Sequence, residues 1–454
     1  MSTKGIRDFR PVLHFTPEKN WNNDPNGLVY ENGRYHLFYQ HNPEGPVWGP
    51  MHWGHSVSAD LIHWEHLPIA LYPDQLGTIF SGSAVYDAEN TSGFGKDGKA
   101  PIVAMFTQHG EHEQQSIAWS LDGVNFEKYP GNPVLPNSTL PDFRDPKIFR
   151  NPVKNCWGAV VSAGDRVHFY ASRDLKHWEK TGEFGPEGNH SQGVWECPDL
   201  FSLEHDGKTV WVLLVSMGGN EENHGARIQY FLGDFDGDAF RCDGRFDKPE
   251  FLDSGLDNYA GVTYDNTADR IFLGWGLNPV YADKTPTGEF CGLMTLPRRL
   301  SLEDTPKGGL RLAGEPLVRD AFGEEVPWNG GELPGQVFLL TVTGEGPCTV
   351  ELKNSLGQKF RFGVNEQNQA FVDRSEAGFR DFSESFASEW YSKISAPRFY
   401  DGPWKLELVF DRSACELFLD HGTRYFSQVV YPDAPYTGME ISGNGTAVLQ
   451  RLKD

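Results

Sequence analysis

Three acids in this chain stand where carboxylate chemistry would need them: Asp24 in WNNDPNG, Asp145 in FRDP and Glu196 in WECPD, each just ahead of an apolar run. Convergent carboxylates are the machinery of glycoside hydrolysis. One attacks or steadies an oxocarbenium-like carbon, while a second, carrying a proton, delivers it to the departing oxygen. The flanking residues divide these roles in part. Asp24 lies among Asn22, Asn23 and Asn26, whose amides favour the ionised form, and Asp145 has Arg144 beside it. Glu196 sits between Trp195 and Cys197, the least polar flank of the three, which makes it the natural proton donor. Each stretch also has a plainer reading. Asp-Pro-Asn-Gly is turn chemistry, Arg-Asp neighbours are often surface charges, and Trp-Glu-Cys fits a strand in a core. Only the joint recurrence of the three argues for a site.

The acids are 121 and 51 positions apart, so the fold has to bring them together. Short β-branched and aromatic runs (RYHLFYQ, IVAMFTQ, WGAVVSA, VWVLLVSMG, RIFLGWG) recur between Gly, Pro, Asn and Asp clusters, with no sustained 3.6-residue period. That is an all-β pattern with little helix. SADLIHWEH (58–66), SLDGVNFEK (120–128) and SRDLKHWEK (172–180) repeat Ser-x-Asp, an aromatic four residues on and then Glu, with starts 62 and 52 residues apart. NDPNGLVY, RDPKIF and CPDLFSL form a second echo. Recurrence at this period, with three or four strands per unit, predicts a five-bladed β-propeller over residues 1–318, whose inner strands would gather the acids at one axial mouth. Beyond LPRRLSLEDTPKGGLRLAGEPL (296–317) the runs alternate apolar and polar residues, as in GQVFLLTVTG and KLELVFDRSACELFLDHG. That predicts a β-sandwich over 319–454.

Composition narrows the partners. A formal net charge of −23 argues against nucleic acid or an anionic membrane surface and for a neutral or cationic small molecule. The 13 Trp supply flat rings of the kind that stack on sugars, although cores use the same rings. Six scattered Cys show neither zinc spacing nor a disulfide framework, and are read as thiols. His63 and His66 belong to or adjoin the Ser-x-Asp repeat, so the His52, His55, His63 and His66 group is read as structural and not as a metal cluster. With no signal-like apolar stretch near the start and no membrane-length run, the expectation is a soluble, cytoplasmic protein, or a secreted one if a leader was trimmed.

Taken in order, WNNDPNG, WGPMHWGHSVSADLIHWEHLPIAL, FSGSAV, FRDP and WECPDLF, with FVDRSEAG and DRSACELFLDHG in the last third, resemble glycoside hydrolase family 32, the β-fructofuranosidases. The resemblance covers nearly the whole chain and implies the same propeller-plus-sandwich fold. Carried onto this sequence, it implies Asp24 as nucleophile, Glu196 as acid/base and Asp145 as the carboxylate that holds fructosyl hydroxyls. It also implies Asn23, Gln40, Trp48, Phe80, Ser81, Arg144 and Trp275 around the fructosyl unit, a retaining mechanism through a covalent fructosyl-enzyme, and no metal or organic cofactor.

Asn22 departs from the Met that the family often carries at that position. GPMHWGH resembles intracellular sucrose or sucrose-6-phosphate hydrolases, whereas GTIFSGSAV, DNYAGVTYD and GLNPVYADKTPTGEFCGLMTLPR look more like exo-acting invertases and fructanases. The expected activity is therefore release of terminal fructosyl units from sucrose and short β-fructans. Its alternatives are a sucrose-6-phosphate hydrolase, a fructosyltransferase using the same intermediate, and a non-catalytic fructan-binding protein. The sandwich would offer faces for self-association into a homo-oligomer.

Overall fold

Runs of Val, Ile, Phe, Tyr and Trp, broken every few residues by Gly, Asn and Asp, form 30 strands, with only two four-residue α-helices and three three-residue 3-10 helices among the described residues. The computed structural model describes residues 8–191, 193–218, 225–244 and 248–453. Contacts between Cα atoms divide the chain into two compact units, Pro17–Leu252 with Tyr259–Trp275, and the N-terminal segment through Thr16 with Asp253–Asn258 and Gly276–Asp454.

The first unit is the β-propeller. Blade 1 runs β1 (Asn20–Glu31), β2 (Arg34–Asn42), β3 (His52–Ser58), β4 (Trp64–Leu71), and blade 2 β5 (Thr78–Tyr86), β6 (Ile102–His109), β7 (Glu113–Ser120), β8 (Glu127–Lys128). Blade 3 is β9 (Phe143–Asn151), β10 (Cys156–Ala163), β11 (Val167–Ser172), β12 (Glu179–Phe184). Blade 4 is β13 (Trp195–His205), β14 (Lys208–Met217), β15 (Arg227–Phe235), β16 (Phe240–Cys242), and blade 5 contributes β17 (Tyr259–Thr263) and β18 (Ile271–Trp275). Within each blade, successive strands pair antiparallel. Neighbouring blades cover both faces of the middle strands, so these are largely buried and the core lies in wedges between blades. Phe38, Trp53 and Phe106 fill the wedge between blades 1 and 2, and Phe149, Trp195, Leu213 and Phe231 the one between blades 3 and 4.

The Ser-x-Asp repeat closes the hairpin between the third and fourth strands of blades 1 to 3. Ser58, Ser120 and Ser172 donate to Asp60, Asp122 and Asp174 at 3.0, 3.0 and 3.2 Å. Each aspartate then accepts the backbone N–H three residues on, from His63, Asn125 and His177. His63 and His177 rings lie 2.7 and 2.6 Å from the same aspartates, so the repeat is turn punctuation. His66 meets Ser56, and His55 is buried against His36.

Each innermost strand carries a β-bulge in its first half, at Asn22/Pro25, Ile79/Gly82, Arg144/Lys147, Glu196/Asp199 and Tyr259/Val262. A bulge takes an amide out of the ladder, and a side chain of the preceding blade takes it up. Gly82 N donates to Asn26 Oδ1 (3.1 Å), Asp145 N to Thr107 Oγ1 (2.9 Å), Cys197 N to Asp145 Oδ2 (2.9 Å) and Ala260 N to Ser216 Oγ (3.0 Å). Backbone bonds close the ring, from Tyr30 N to Asp265 O and from Asp265 N to Leu28 O.

The second unit contains the short β19 (Phe290–Cys291), the antiparallel pair β20 (Arg298–Thr305) and β21 (Gly309–Pro316), the short β22 (Val326–Pro327), and the sandwich. In the sandwich, β23 (Val337–Asn354) pairs with β27 (Trp404–Asp411) through its first half and with β24 (Lys359–Val364) through its second, so one long strand serves both layers. On one side follow β25 (Gln369–Glu376) and β26 (Lys393–Pro397), on the other β28 (Ala414–Leu419) and β29 (Arg424–Val429), and β30 (Tyr436–Arg451) lies along β23. Phe338, Phe360, Phe362, Leu406 and Phe410 form its core.

His14 sits in a buried acidic socket of this unit, with Nδ1 2.8 Å from Asp411 Oδ2 and Nε2 3.5 Å from Glu416 Oε1. Burial opposes its charge, but the two carboxylates prevail and raise it to about 9. The folded chain then holds this proton more tightly than the unfolded chain, whose histidine titrates near 6.5. The stabilisation is complete below pH 6.5 and lost as the pH rises through 9. Melting temperature should therefore fall between pH 7 and 10, and fall less in His14→Gln; equal alkaline losses in the two proteins would show that His14 is not the titrating group.

Candidate active site

The bulged stretches of blades 1 to 4 deliver their side chains to one spot. Asp24 does not lie on a turn at the head of a strand, as its neighbours suggest, but inside β1 on a bulge, with Gly27 further along at φ +55°. The Asn-Asp-Pro-Asn-Gly run supplies the residues a kinked strand needs, so turn chemistry acts here within a ladder. Ser81 Oγ of blade 2 donates to Asp24 Oδ2 at 2.5 Å and Asn23 Nδ2 to Oδ1 at 2.9 Å. Trp21 Nε1 donates to Asn23 Oδ1 at 2.6 Å, which fixes that amide with its N–H side toward Asp24. Of the three asparagines expected to serve Asp24, Asn23 does so. Asn26 turns its oxygen to Gly82 instead, and Asn22 is fully buried in the strand, so its difference from the family's Met reaches a ligand only through what packs on it.

Asp145, 6% exposed, has φ +62° on the bulge of β9. Cys197 of blade 4 (φ +45°) joins the two aspartates, with Sγ 3.4 Å from Asp24 Oδ2 and 3.6 Å from Asp145 Oδ2. Burial, then the charges of Asp145, Asp24 and Glu196, push the thiol far up, so Cys197 is a neutral donor. Glu196, one residue earlier, is bracketed by Arg144 Nη2 at Oε1 (3.2 Å) and Tyr259 Oη at Oε2 (2.5 Å).

Its setting corrects the expectation of a least polar flank. Neighbours along a strand face opposite sides, so Trp195 is wholly buried in the wedge between blades while Glu196 keeps 32% of its side chain exposed, between a guanidinium and a phenol. The second echo is corrected too. CPD puts Cys197, not its aspartate, in line with Asp24 and Asp145 as the residue before proline, and Asp199 lies deeper, accepting from Thr263 and 3.5 Å from Lys147.

Partial burial pushes Asp24 above the usual carboxylate range and the Glu196 charge adds to this, while Ser81, Asn23 and Cys197 hold it back. For Asp145, burial is the largest push, Arg144 pulls down, and Asp24 and Glu196 push up again, to about 7. Burial works against the Arg144 cation, but Asp145, Glu196 and Glu113 keep it charged. Asp145, beside the Arg144 guanidinium, is thus poised to hold a proton near neutrality.

Because the folded state binds the Asp145 proton more tightly than an unfolded aspartate, its contribution to stability is full below about pH 3.9 and lost as the pH rises through 7. Asp145→Asn, neutral at every pH, should melt above wild type at pH 8 by a margin that shrinks at pH 5. A variant melting below wild type at pH 8 would mean that the Asp145 charge is not the destabilising element.

The remaining expected residues surround this cluster unevenly. Phe80 stacks on His109 (centroids 4.3 Å apart, 4° between planes), and Trp48, 58% exposed, meets Phe80 edge-on at 6.3 Å, which makes an aromatic rim. Trp275 packs against Trp21 at 5.8 Å and is 3% exposed. Among the described residues, Trp275 Nε1 and Gln40 Nε2 are buried without a partner, and no hydrogen bond connects either to the carboxylates. Sequence reasoning did not single out Tyr259, Cys197, Glu113 and Thr107. Tyr259 stands in DNYAG, directly before the blade 5 bulge as Glu196 stands before that of blade 4, and blade-by-blade equivalence could have found it. Glu113 holds Arg144 Nη1 (3.1 Å) and accepts Phe143 N (2.8 Å) from a middle strand, where no motif marks it.

Comparison with known proteins places the chain in a family and a fold. The profile of the glycosyl hydrolases family 32 N-terminal domain matches residues 14–314, and that of the family 32 C-terminal region matches residues 340–453. The levanase of Bacillus subtilis strain 168 is 41% identical over 476 residues, covering 98% of this chain and 70% of the levanase. Among solved structures, the exo-inulinase of Aspergillus awamori superposes with a TM-score of 0.89 at 32% identity over 99% of each chain. The β-fructofuranosidase of Schwanniomyces occidentalis, complexed with fructosyl-erythritol, does so at 0.88 and 29% over 98% of each.

Proposed function

The chain belongs to glycosyl hydrolase family 32, and from that premise we propose that it is an exo-acting, retaining β-fructofuranosidase removing terminal fructosyl units from sucrose and short β-fructans. The observation that carries the reading is the convergence of Asp24, Asp145 and Glu196 from three blades around Cys197 and Arg144. Asp24, fixed through both oxygens, attacks the anomeric carbon, and Glu196, whose side chain is 32% exposed, gives its proton to the departing glycosidic oxygen. A fructosyl ester on Asp24 results. Water then attacks the same carbon, Glu196 takes its proton, and Asp24 leaves with its electron pair, so two inversions give net retention. Asp145 and Arg144 hold ring hydroxyls as the oxocarbenium-like charge develops. Phe80 and Trp48 offer ring faces to the sugars, and the buried N–H groups of Gln40 and Trp275 are donors for the fructosyl unit.

An exo-acting hydrolase, rather than one devoted to sucrose-6-phosphate, is supported by the FSGSAV and DNYAG stretches, which hold Ser81 and Tyr259 inside the cluster, and by the likeness to a levanase and an exo-inulinase. A fructose-release panel on sucrose, sucrose-6-phosphate, kestose, inulin and levan tests it. Release from sucrose, kestose and at least one polymer is expected. Turnover of sucrose-6-phosphate alone, oligofructosides accumulating over free fructose at high sucrose, or no release at all would each overturn it, the last two in favour of a transferase or a fructan-binding protein.

A further inference from the structure

The second unit contains a cavity of about 680 Å³ bounded by β20, β21, β23, β27 and the turn after β28. That turn is DHG, the end of a stretch that the carboxylate site does not use. Asp420, His421 and Gly422 have φ of 52°, 58° and 80°, three left-handed residues in succession, which is unfavourable for the two that are not glycine. The surroundings enforce it. The buried Arg398 forks onto Asp420 (Nε to Oδ2 3.0 Å, Nη2 to Oδ1 2.9 Å), and Thr423 N and Oγ1 close on Asp420 O at 3.1 and 2.7 Å. Gly422 packs so tightly on Gly314 that a Cβ would come within 2.4 Å of its carbonyl oxygen.

This built, strained turn presents the exposed His421 beside Tyr400, with ring centroids 5.6 Å apart, and Tyr400 Oη is anchored on Glu303 at 3.1 Å. Trp404 and Phe418 supply apolar lining. The charges around the cavity are paired with one another: Arg319 Nη2 and Lys405 meet Glu407 at 2.7 and 2.9 Å, Arg299 meets Glu315 at 3.1 Å, and Lys307 donates to Asp401. With its charges mutually paired, the cleft suits a neutral ligand that can lie on rings and exchange hydrogen bonds with polar groups.

We propose that this cleft is an accessory binding site for a neutral polyhydroxylated chain, a run of β-fructan residues that is not being cleaved. The ligand class rests on the fructofuranosidase reading above. Two measurements test it with Tyr400→Ala, His421→Ala and Ser301→Trp, the last filling the cleft from an exposed strand position. In a Glu196→Gln background, which spares the polymer, retardation in gels containing levan or inulin should weaken roughly five- to tenfold in each variant and persist in Tyr400→Phe. In otherwise wild-type protein, KM for the polymer should rise by a similar factor, with kcat/KM for sucrose and the melting temperature unchanged. Unchanged retardation and polymer KM in all three, or equal losses on sucrose and polymer, would overturn the proposal. If the wild type releases no fructose yet is held by the polymer through Tyr400, the catalytic reading fails and the cleft stands.

Discussion

Asp24→Asn is expected to lower fructose release from both sucrose and levan on the order of 10⁴-fold or more, with the fold intact. An amide cannot form the ester that splits the reaction into two displacements, so the covalent route closes and does not merely slow. The architecture should tolerate the change. Ser81 can still donate to the amide oxygen, and the lost charge is one that partial burial and Glu196 already disfavour. Fructose quantified by chromatography, with a thermal melt on the same sample, checks both halves. A variant within about tenfold of wild type would remove Asp24 from the nucleophile's role.

Glu196→Gln should cost roughly 10²–10⁴-fold on sucrose, the span a positioned general acid supplies, because the departing alkoxide loses its proton source. An aryl β-fructofuranoside, whose leaving group departs without a proton, should lose far less in the first step and then stall at the fructosyl-enzyme, for which no base activates water. Azide, an anion needing no base, should release the stalled enzyme as fructosyl azide of retained configuration. Asp24→Asn should show no such rescue. The anomeric configuration, read by NMR, is decisive: an inverted azide would mean direct displacement, and equal losses on aryl fructoside and sucrose would mean that Glu196 does not protonate the leaving group.

Much of this was legible from residues. Five blades followed from the period of the repeat, and the three acids followed from their recurrence before apolar runs. What escaped depends on backbone geometry that side-chain type does not encode. WEC misled because the neighbours of a residue along a strand face away from it: Trp195 goes into the wedge between blades, and the environment of Glu196 comes from Arg144 and Tyr259 on other blades. Thr107, in the apolar IVAMFTQ run, and Glu113, in the polar stretch that opens β7, act from middle strands and carry no local signature of their partners. Asp24 was ambiguous between turn and site because the residues that kink a strand are those that make turns.

The bulged amides bear on how the enzyme fails. Because the amide of Cys197 is held by Asp145, one of the acids, and those of Asp145 and Ala260 by Thr107 and Ser216, the seams between blades and the reactive cluster share their bonds. Local unfolding that parts blade 3 from blade 4 must release Asp145 from Cys197 in the same event, so breathing of the ring and inactivation form one cooperative unit. Amide exchange at Cys197 would then follow the same temperature course as the loss of turnover, with no loosened yet active intermediate between them.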